Sequence, residues 1–364
     1  MTSAEQKLAI CICTYQRPQL LKRLISDLRE QSHPFGWLIV VDGDPASGQV
    51  RSVLKEGAGF RVIYQPSNHP NQPYQRFLGW RIAAQEKVDL LVYFDDDIRF
   101  LESDALEKIV RPFSWTGRRV AGVTANTISP NRDEKLSAAP ALLEQTKKKR
   151  TPVFVEWLGD SKRTAPGGLT ASGQRVPLRS DGLEYANVEC LQGRVMAFRM
   201  SALERANFPD DLFAVKQVNA GMGEDTLISH GVLTRGELLL ACEVLVEHPD
   251  DDLPNSYPHQ SFWYGFAVAY SRRLLNDYFR FPGKPFLMDR IALCKSYLGN
   301  FILNWGCFLL RPRGFRFQYA AGYTWGVVRA FINPPRAKNL TPHIDWDADA
   351  ERAIASREII GAGS

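Results

Sequence analysis

Residues 89–97 read DLLVYFDDD, an apolar run that stops on three consecutive carboxylates. A short, continuous apolar segment bounded by polar residues is the pattern of a buried strand. Three upstream segments have the same character: 8–13 (LAICIC), 37–41 (WLIVV) and 60–64 (FRVIY). Helical patterns separate them. Pro18 opens one, at a position where its fixed φ and missing N–H cost nothing, and Leu20, Leu21, Leu24, Ile25 and Leu28 follow at helical spacing. A second helix is expected over 74–85, after the loop PSNHPNQP. Strands alternating with helices predict an α/β domain with a mostly parallel sheet flanked by helices. Such sheets bind ligands outside the carboxyl ends of their strands. Asp42 and the run Asp95-Asp96-Asp97 both stand at such ends.

Three adjacent carboxylates repel one another and raise each other's pKa unless something neutralises them. A divalent cation does so, and hard oxygen ligands favour Mg²⁺ or Mn²⁺. In an extended segment Asp95 and Asp97 share a face and Asp96 points away. That predicts two acids acting with a metal-bound diphosphate; a solvated acidic turn is the alternative. Farther on, Glu224-Asp225 follows Gly221-Met222-Gly223 and precedes a helical pattern. A carboxylate there could take a proton from an attacking hydroxyl, or Asp225 could simply cap the helix. His248 stands at the end of an expected strand over 238–246 and is a candidate third metal ligand.

The chain has 364 residues, 45% of them apolar and 23% charged, as in ordinary globular proteins. No apolar run approaches the roughly 20 residues a membrane span needs. The first residues, MTSAEQK, lack the basic start and cleavage site of a signal peptide, so a cytoplasmic location is expected. Six cysteines without a C-x-x-C pair argue for buried thiols rather than a disulfide scaffold or a structural zinc. The phosphate loop G-x-x-x-x-G-K-[ST], G-x-G-x-x-G after the first strand, H-E-x-x-H and G-x-S-x-G are all missing. Those absences count against a P-loop ATPase, a dehydrogenase, a zincin and a serine hydrolase.

The net charge of +5 is unevenly spread. Residues 253–340 carry twelve Lys and Arg against Asp277 and Asp289, whereas 341–364 are acidic, with five acids and two bases. The basic region is also aromatic, from Phe262 to Trp325, and is expected to be helical. Its composition suits an anionic membrane surface, an ordinary helical layer with a basic outer face, or nucleic acid. The membrane surface is the expected partner and nucleic acid is not. Charged segment 144–150 (EQTKKKR spans 144–150) and the Gly/Ser/Pro/Arg-rich stretch 160–181 are expected to be exposed loops, the second near the site.

Taken together, LAICICTYQRP, WLIVVDGD, LVYFDDD and GMGEDTLIS resemble, in order and interval, the motifs of family 2 glycosyltransferases over about residues 7 to 250. The resemblance implies a GT-A fold, with a Rossmann-like nucleotide-binding half at 7–127 and an acceptor-binding half at 128–252 within a domain spanning 1–252. The helical basic and aromatic region (253–340) and an acidic tail (341–364) would follow. It also implies roles for single residues. Thr14, Tyr15 and Arg17 would line the nucleotide pocket, Asp42 would hydrogen-bond the base, and Arg76 falls where the family often has a basic residue. Asp95 and Asp96 would lie on the nucleotide, Asp95 near the ribose. Asp97, with Asp95 and His248, would hold Mn²⁺ or Mg²⁺. Asp225 would be the catalytic base, with Glu224 beside it. Two departures are visible: the acidic pair after the second strand is split as Asp42-Gly43-Asp44, and QRFLGWR (75–81) lacks the family's Arg-Asn.

The activity implied is inverting transfer of a sugar from a nucleotide-sugar, with UDP the family's commonest carrier, to a hydroxyl of a saccharide or lipid-linked acceptor. Cell-envelope polysaccharide or glycolipid synthesis, at the inner face of the membrane, would fit the basic region. Two alternatives are a catalytically silent module that only binds nucleotide-sugar or saccharide, and a nucleotidyltransferase. The latter normally carries a Gly-rich basic loop after its first strand, which CTYQRPQLL does not.

Overall fold

The apolar runs form the centre of a single sheet. In this computed structural model the described residues are 7–57, 59–128, 166–170, 172–173, 178, 182–218, 223–248, 258–279 and 286–361. The charged segment 144–150 and most of the loop expected over 160–181 lie outside them. Strands β1 (Leu8–Thr14), β2 (Trp37–Asp42), β3 (Val62–Pro66) and β4 (Leu90–Asp95) alternate with helices α1 (Pro18–Arg29), α2 (Gln49–Lys55) and α3 (Gln72–Gln85). The four strands are parallel, in the order β3-β2-β1-β4. Register then does the positioning. Thr14 pairs with Asp42, and Cys13 pairs with Asp95, so three loops leave the sheet at one carboxyl edge.

Beyond β4 the sheet becomes mixed. After β5 (Arg99–Phe100) and α4 (Ala105–Val110) come β6 (Val120–Ile128), β7 (Tyr185–Val188) and β8 (Val195–Arg199). Helices α5 (Asp210–Gln217) and α6 (Glu224–Leu233) precede β9 (Glu237–Glu247). Strand β8 runs antiparallel to β4 and β6, while β9 runs parallel to β6. Side chains alternate between two cores, as a strand's period of two requires. Ile10 and Ile12 join Leu21, Leu24 and Leu28 of α1 on one face. Cys11 and Cys13 join Phe77 and Leu78 of α3 on the other. The two thiols therefore share a side, as their spacing predicts, and both are free.

Helix α3 is buried nearly all round, including Tyr74, Gln75, Arg76 and Phe77. Phe208 and Phe213 cover part of it, and the end of the chain covers another part. After α7 (Pro258–Tyr278), α8 (Phe286–Leu310), α9 (Gly314–Ile332) and α10 (Ala337–Leu340), the chain forms α11 (Trp346–Ala355) and β10 (Glu358–Ile360). Residues expected as an acidic tail thus return to the body. Strand β10 adds to β3 antiparallel, and Trp346 is 1% exposed against His69, Tyr74 and Phe213. The acids face basic side chains of the body: Asp347 meets Arg81 and Arg205, and Asp349 meets His69. The physical reason is amphipathicity: Trp346, Ala350, Ala353 and Ile354 recur at helical spacing and are buried, Asp349 lies at the edge of that face, and Asp347 and Glu351 are more exposed.

The basic and aromatic region is helical, as expected. No helix among the described residues is long and apolar enough to cross a membrane.

Candidate active site at the carboxyl edge of the sheet

Strand β4 ends on Asp95, and Asp96 and Asp97 lie in the turn that follows. The chain has left the pleat, so the expected shared face of Asp95 and Asp97 does not form. Asp96 and Asp97 instead share Arg17, whose Nη1 is 3.3 Å from Asp96 Oδ1 and 3.0 Å from Asp97 Oδ2. Thr14 Oγ1 donates to Asp96 Oδ2 at 2.7 Å. Arg17 is partly exposed, at 41% of its side chain, and Tyr15 beside it is 46% exposed at the mouth. The loop 14–17 turns at Gln16, a non-glycine residue at φ 56°, whose amide donates to Asp44 Oδ2 at 2.9 Å.

Asp97 has a second neighbour from far along the chain. His248 follows β9, and its backbone N–H bonds Ile128 O at 2.8 Å. That places His248 Nε2 3.2 Å from Asp97 Oδ1. Burial pushes the Asp97 carboxyl up, but the adjoining His248 and Arg17 outweigh it and hold it below the usual range. Burial pulls the imidazole down, and Asp97 more than reverses that.

Asp95 is held on the other side. Its Oδ1 accepts from Arg76 Nη2 at 2.9 Å and from Gln72 Nε2 at 2.8 Å. Burial pushes its carboxyl up to about 6, against the pull of Arg76. Arg76 is 1% exposed and also donates to Glu224 Oε1 at 3.1 Å and to Gly193 O at 2.7 Å. Desolvation opposes its charge, but Asp95 and Glu224 outweigh that and hold it firmly protonated. Gly193 closes the circuit, because its N–H donates to Asp225 Oδ2 at 3.1 Å. Asp225 Oδ1 accepts from its neighbour's backbone, Thr226 N, at 2.7 Å. Both acids lie in the first turn of α6, where the helix dipole favours negative charge. Gly223 enters that helix at φ 87°, a conformation side chains rarely adopt, which accounts for the glycine before Glu224.

Asp42 is fully buried. Its Oδ1 accepts from Asp44 N and its Oδ2 from Tyr64 OH, both at 2.9 Å. Desolvation raises its pKa, partly offset by those two bonds.

Sequence reasoning therefore named the acids and Arg76, and the fold gathers them at one edge. It missed Gln72 and Gly193. Gln72 had a signal, being a polar residue in the first turn of a helix that starts at the carboxyl edge. Gly193 had none beyond preceding an apolar strand.

Residues 9–159 match the family model for glycosyl transferase family 2. This segment is a family 2 glycosyltransferase domain. Among solved structures, the chain is similar to the mannosyltransferase PcManGT from Pyrobaculum calidifontis, in complex with GDP-Man and Mn²⁺. The two are 15% identical, the likeness covers 94% of this chain and 89% of that one, and the TM-score is 0.50. The S. aureus protein TarS, residues 1–349, is 12% identical over 96% of this chain and 88% of that one, with a TM-score of 0.49. No curated protein matches the chain in sequence. The fold is thus the GT-A arrangement of α/β layers with a C-terminal helical region.

A divalent cation can be tested against these side chains. Among the described residues no three His, Cys, Asp or Glu side chains converge as a metal cluster. Asp97 Oδ1 is nevertheless buried without a hydrogen bond of good geometry, and an imidazole nitrogen stands beside it. Magnesium-like ions commonly take one or two protein ligands and complete their shell with substrate phosphates and water. Asp97 supplies a carboxylate for that mode, and His248 stands beside it.

Proposed function

We propose that the chain is an inverting glycosyltransferase that moves a sugar from a nucleotide-sugar to a hydroxyl of a saccharide or lipid-linked acceptor. The single observation that carries this reading is the Arg76 bridge. One buried guanidinium joins Asp95, at the end of the nucleotide-side strand, to Glu224, the neighbour of Asp225. Donor-side and acceptor-side acids are thereby fixed in one rigid unit, as a displacement between two bound groups requires. The family of residues 9–159 and the GDP-Man and Mn²⁺ of the Pyrobaculum calidifontis structure support the reading.

In this proposal residues 7–127 bind the nucleotide and 128–252 the acceptor. Thr14 and Asp96 fix the loop along which the donor lies, and the open ring of Tyr15 borders it. Asp42, with both oxygens engaged, sets the floor of the base pocket, and Asp95 approaches the ribose. Arg17 is exposed enough to turn from Asp96 and Asp97 toward a diphosphate. Asp225 takes the proton of the acceptor hydroxyl as its oxygen attacks the anomeric carbon, which inverts configuration. Gly193 N and Thr226 N aim that carboxylate, and Arg76 holds the neighbouring Glu224. Mn²⁺ or Mg²⁺, held by Asp97 and His248, would supply Lewis-acid stabilisation of the leaving diphosphate.

The test is a thermal-shift screen of UDP, GDP and dTDP with and without Mn²⁺, followed by donor hydrolysis. A ligand that binds only the folded state raises the midpoint. The expected result is a metal-dependent rise with one nucleotide and release of that nucleoside diphosphate from its sugar. No shift with any of them, or release of pyrophosphate instead, overturns the proposal.

A further inference from the structure

Helix α8 spans 25 residues, roughly 37 Å at 1.5 Å per residue. Leu287, Ile291, Leu298, Phe301, Ile302 and Leu309 follow its helical period, and every one of them is exposed. Leu309 and Leu310, at the turn into α9, are 74% and 85% exposed. On α9, Trp325, Val328 and Ile332 are exposed in the same way. A monomer rarely leaves so continuous an apolar face to water. The opposite side of the hairpin is packed: Leu293, Tyr297 and Tyr323 are buried together with Ala269 of α7.

The charge around this face has one sign. No Asp or Glu occurs between Asp289 and Asp345, whereas Arg311 and Arg313 stand exposed at the tip and Lys295 and Arg329 along the sides. At the other end of the hairpin is a cavity of about 410 Å³ lined by Arg273, Arg290, Arg336, Lys338 and Asp277. Asp277, 4% exposed, is shared by three guanidiniums: Arg273 Nε at 3.2 Å, Arg336 Nη2 at 3.2 Å, and Arg290. Asp211 takes the other edge of Arg336 at 2.8 Å. Four cations thus face two acids, and the acids hold the guanidiniums in place around the cavity. Arg273 lies 5.9 Å from the ring of Phe331, which is exposed beside Ile332.

We propose that the α8–α9 face beds on an anionic lipid bilayer and that the Arg273–Arg290–Arg336–Lys338 cavity receives a lipid headgroup phosphate. Apolar side chains enter the acyl boundary while cations at both ends meet phosphates, the arrangement by which amphipathic helices lie in an interface. Helix α7 links this surface to the site. Leu275 lies against Gly223, at the start of the helix that carries Glu224 and Asp225, and Asp277 is two residues further along. A face set on the bilayer would thereby hold the carboxyl edge of the sheet close to acceptors carried in it. The docking does not depend on the transfer reading, since none of the residues named for transfer belongs to it.

Flotation of the full chain with vesicles tests the proposal, using phosphatidylcholine alone and phosphatidylcholine mixed with phosphatidylglycerol. The expected result is recovery with the anionic vesicles only, lost at high salt. Leu309→Asp with Leu310→Asp should weaken it about a hundredfold, and Lys338→Glu about tenfold. Donor hydrolysis by these variants should equal that of the unaltered chain, so loss of docking and loss of transfer are read separately. No flotation, or flotation indifferent to both changes, overturns the proposal. So does light scattering that shows a dimer converted to monomer by the Leu309/Leu310 change with flotation intact, since a second copy would then cover the face. Thermal protection by inorganic phosphate without vesicle recovery would assign the cavity to a free anion and overturn it as well.

Discussion

Arg76 Nη1 lies 3.1 Å from Glu224 Oε1, across 148 residues of sequence. The same guanidinium neutralises Asp95, so two carboxylates with little access to solvent depend on one cation. Breaking a buried ion pair from one side leaves an uncompensated charge, at a cost of about 3–5 kcal/mol. Arg76→Met is therefore expected to lower unfolding stability by that amount in urea. The Asp95 carboxyl, already pushed up to about 6 by burial, should rise further once Arg76 no longer pulls it down. A variant as stable as the parent would remove the bridge from the account.

Asp225 tests the chemistry rather than the fold. Its carboxylate is fixed by Gly193 N and Thr226 N and sits in the first turn of α6. Asp225→Asn keeps the shape and removes the basic oxygen. A general base contributes roughly 10²- to 10⁴-fold, so turnover should fall by that factor while binding of the nucleoside diphosphate persists. Activity within a few fold of the parent would assign Asp225 to helix capping alone.

Asp97 and His248 make a metal prediction. Calorimetric titration of Mn²⁺ in the presence of the nucleoside diphosphate should show binding weakened at least about tenfold in Asp97→Asn and in His248→Ala. Chelation of the metal should abolish the nucleotide's thermal shift in the parent. Identical Mn²⁺ isotherms for parent and variants would move the cation elsewhere.

These residues also mark how far the sequence could be read. Strands β1 to β4 are legible because a sheet buried on both faces needs continuous apolar runs, and the carboxyl edge follows from their parallel order. The acids are legible because charge rarely follows such runs without a use. Geometry inside the DDD run is not, because the strand ends at Asp95 and pleat alternation no longer applies to Asp96 and Asp97. Nor is the burial of Arg76. Gly193 and Glu224, which enclose it together with Asp95, stand 117 and 148 residues farther along the chain. Residues 341–364 read as an acidic tail for the same reason, since the partners Arg81, Arg205 and His69 are distant in sequence.

That return of the C-terminal segment should be sensitive to acid. Asp349 accepts from His69 Nε2 at 2.8 Å, from Arg352 at 3.0 Å and from Tyr74 OH at 3.2 Å. Burial pushes its carboxyl up, but these partners outweigh it and hold it below the usual range. A carboxyl lower in the folded than in the unfolded state contributes stability above its unfolded pKa, about 3.9. That contribution fades as pH falls through the lower folded value. Trp346 fluorescence should therefore report loosening of α11 below about pH 4. Asp349→Asn, which lacks the titrating group, should be weaker by about 2 kcal/mol at neutral pH and show a flatter acid limb. An unchanged limb would mean that another carboxylate governs it.

The last prediction contrasts two glycines of the helical region. A Cβ on Gly322 of α9 would overlap the carbonyl and Cα of Phe262 in α7, and backbone cannot move aside by changing rotamer. Gly322→Ala must push the two helices apart, with an overpacking cost of about 1–3 kcal/mol or more. Gly306, inside α8, has open space around the same atom. There Ala removes only the conformational freedom that glycine brings to a helix, so Gly306→Ala should stabilise α8 by up to about 1 kcal/mol. Thermal unfolding of the two variants beside the parent should move in opposite directions. Destabilisation by both would mean that α8 meets another surface closely at Gly306. Tolerance of both would mean that α7 and α9 are not in backbone contact.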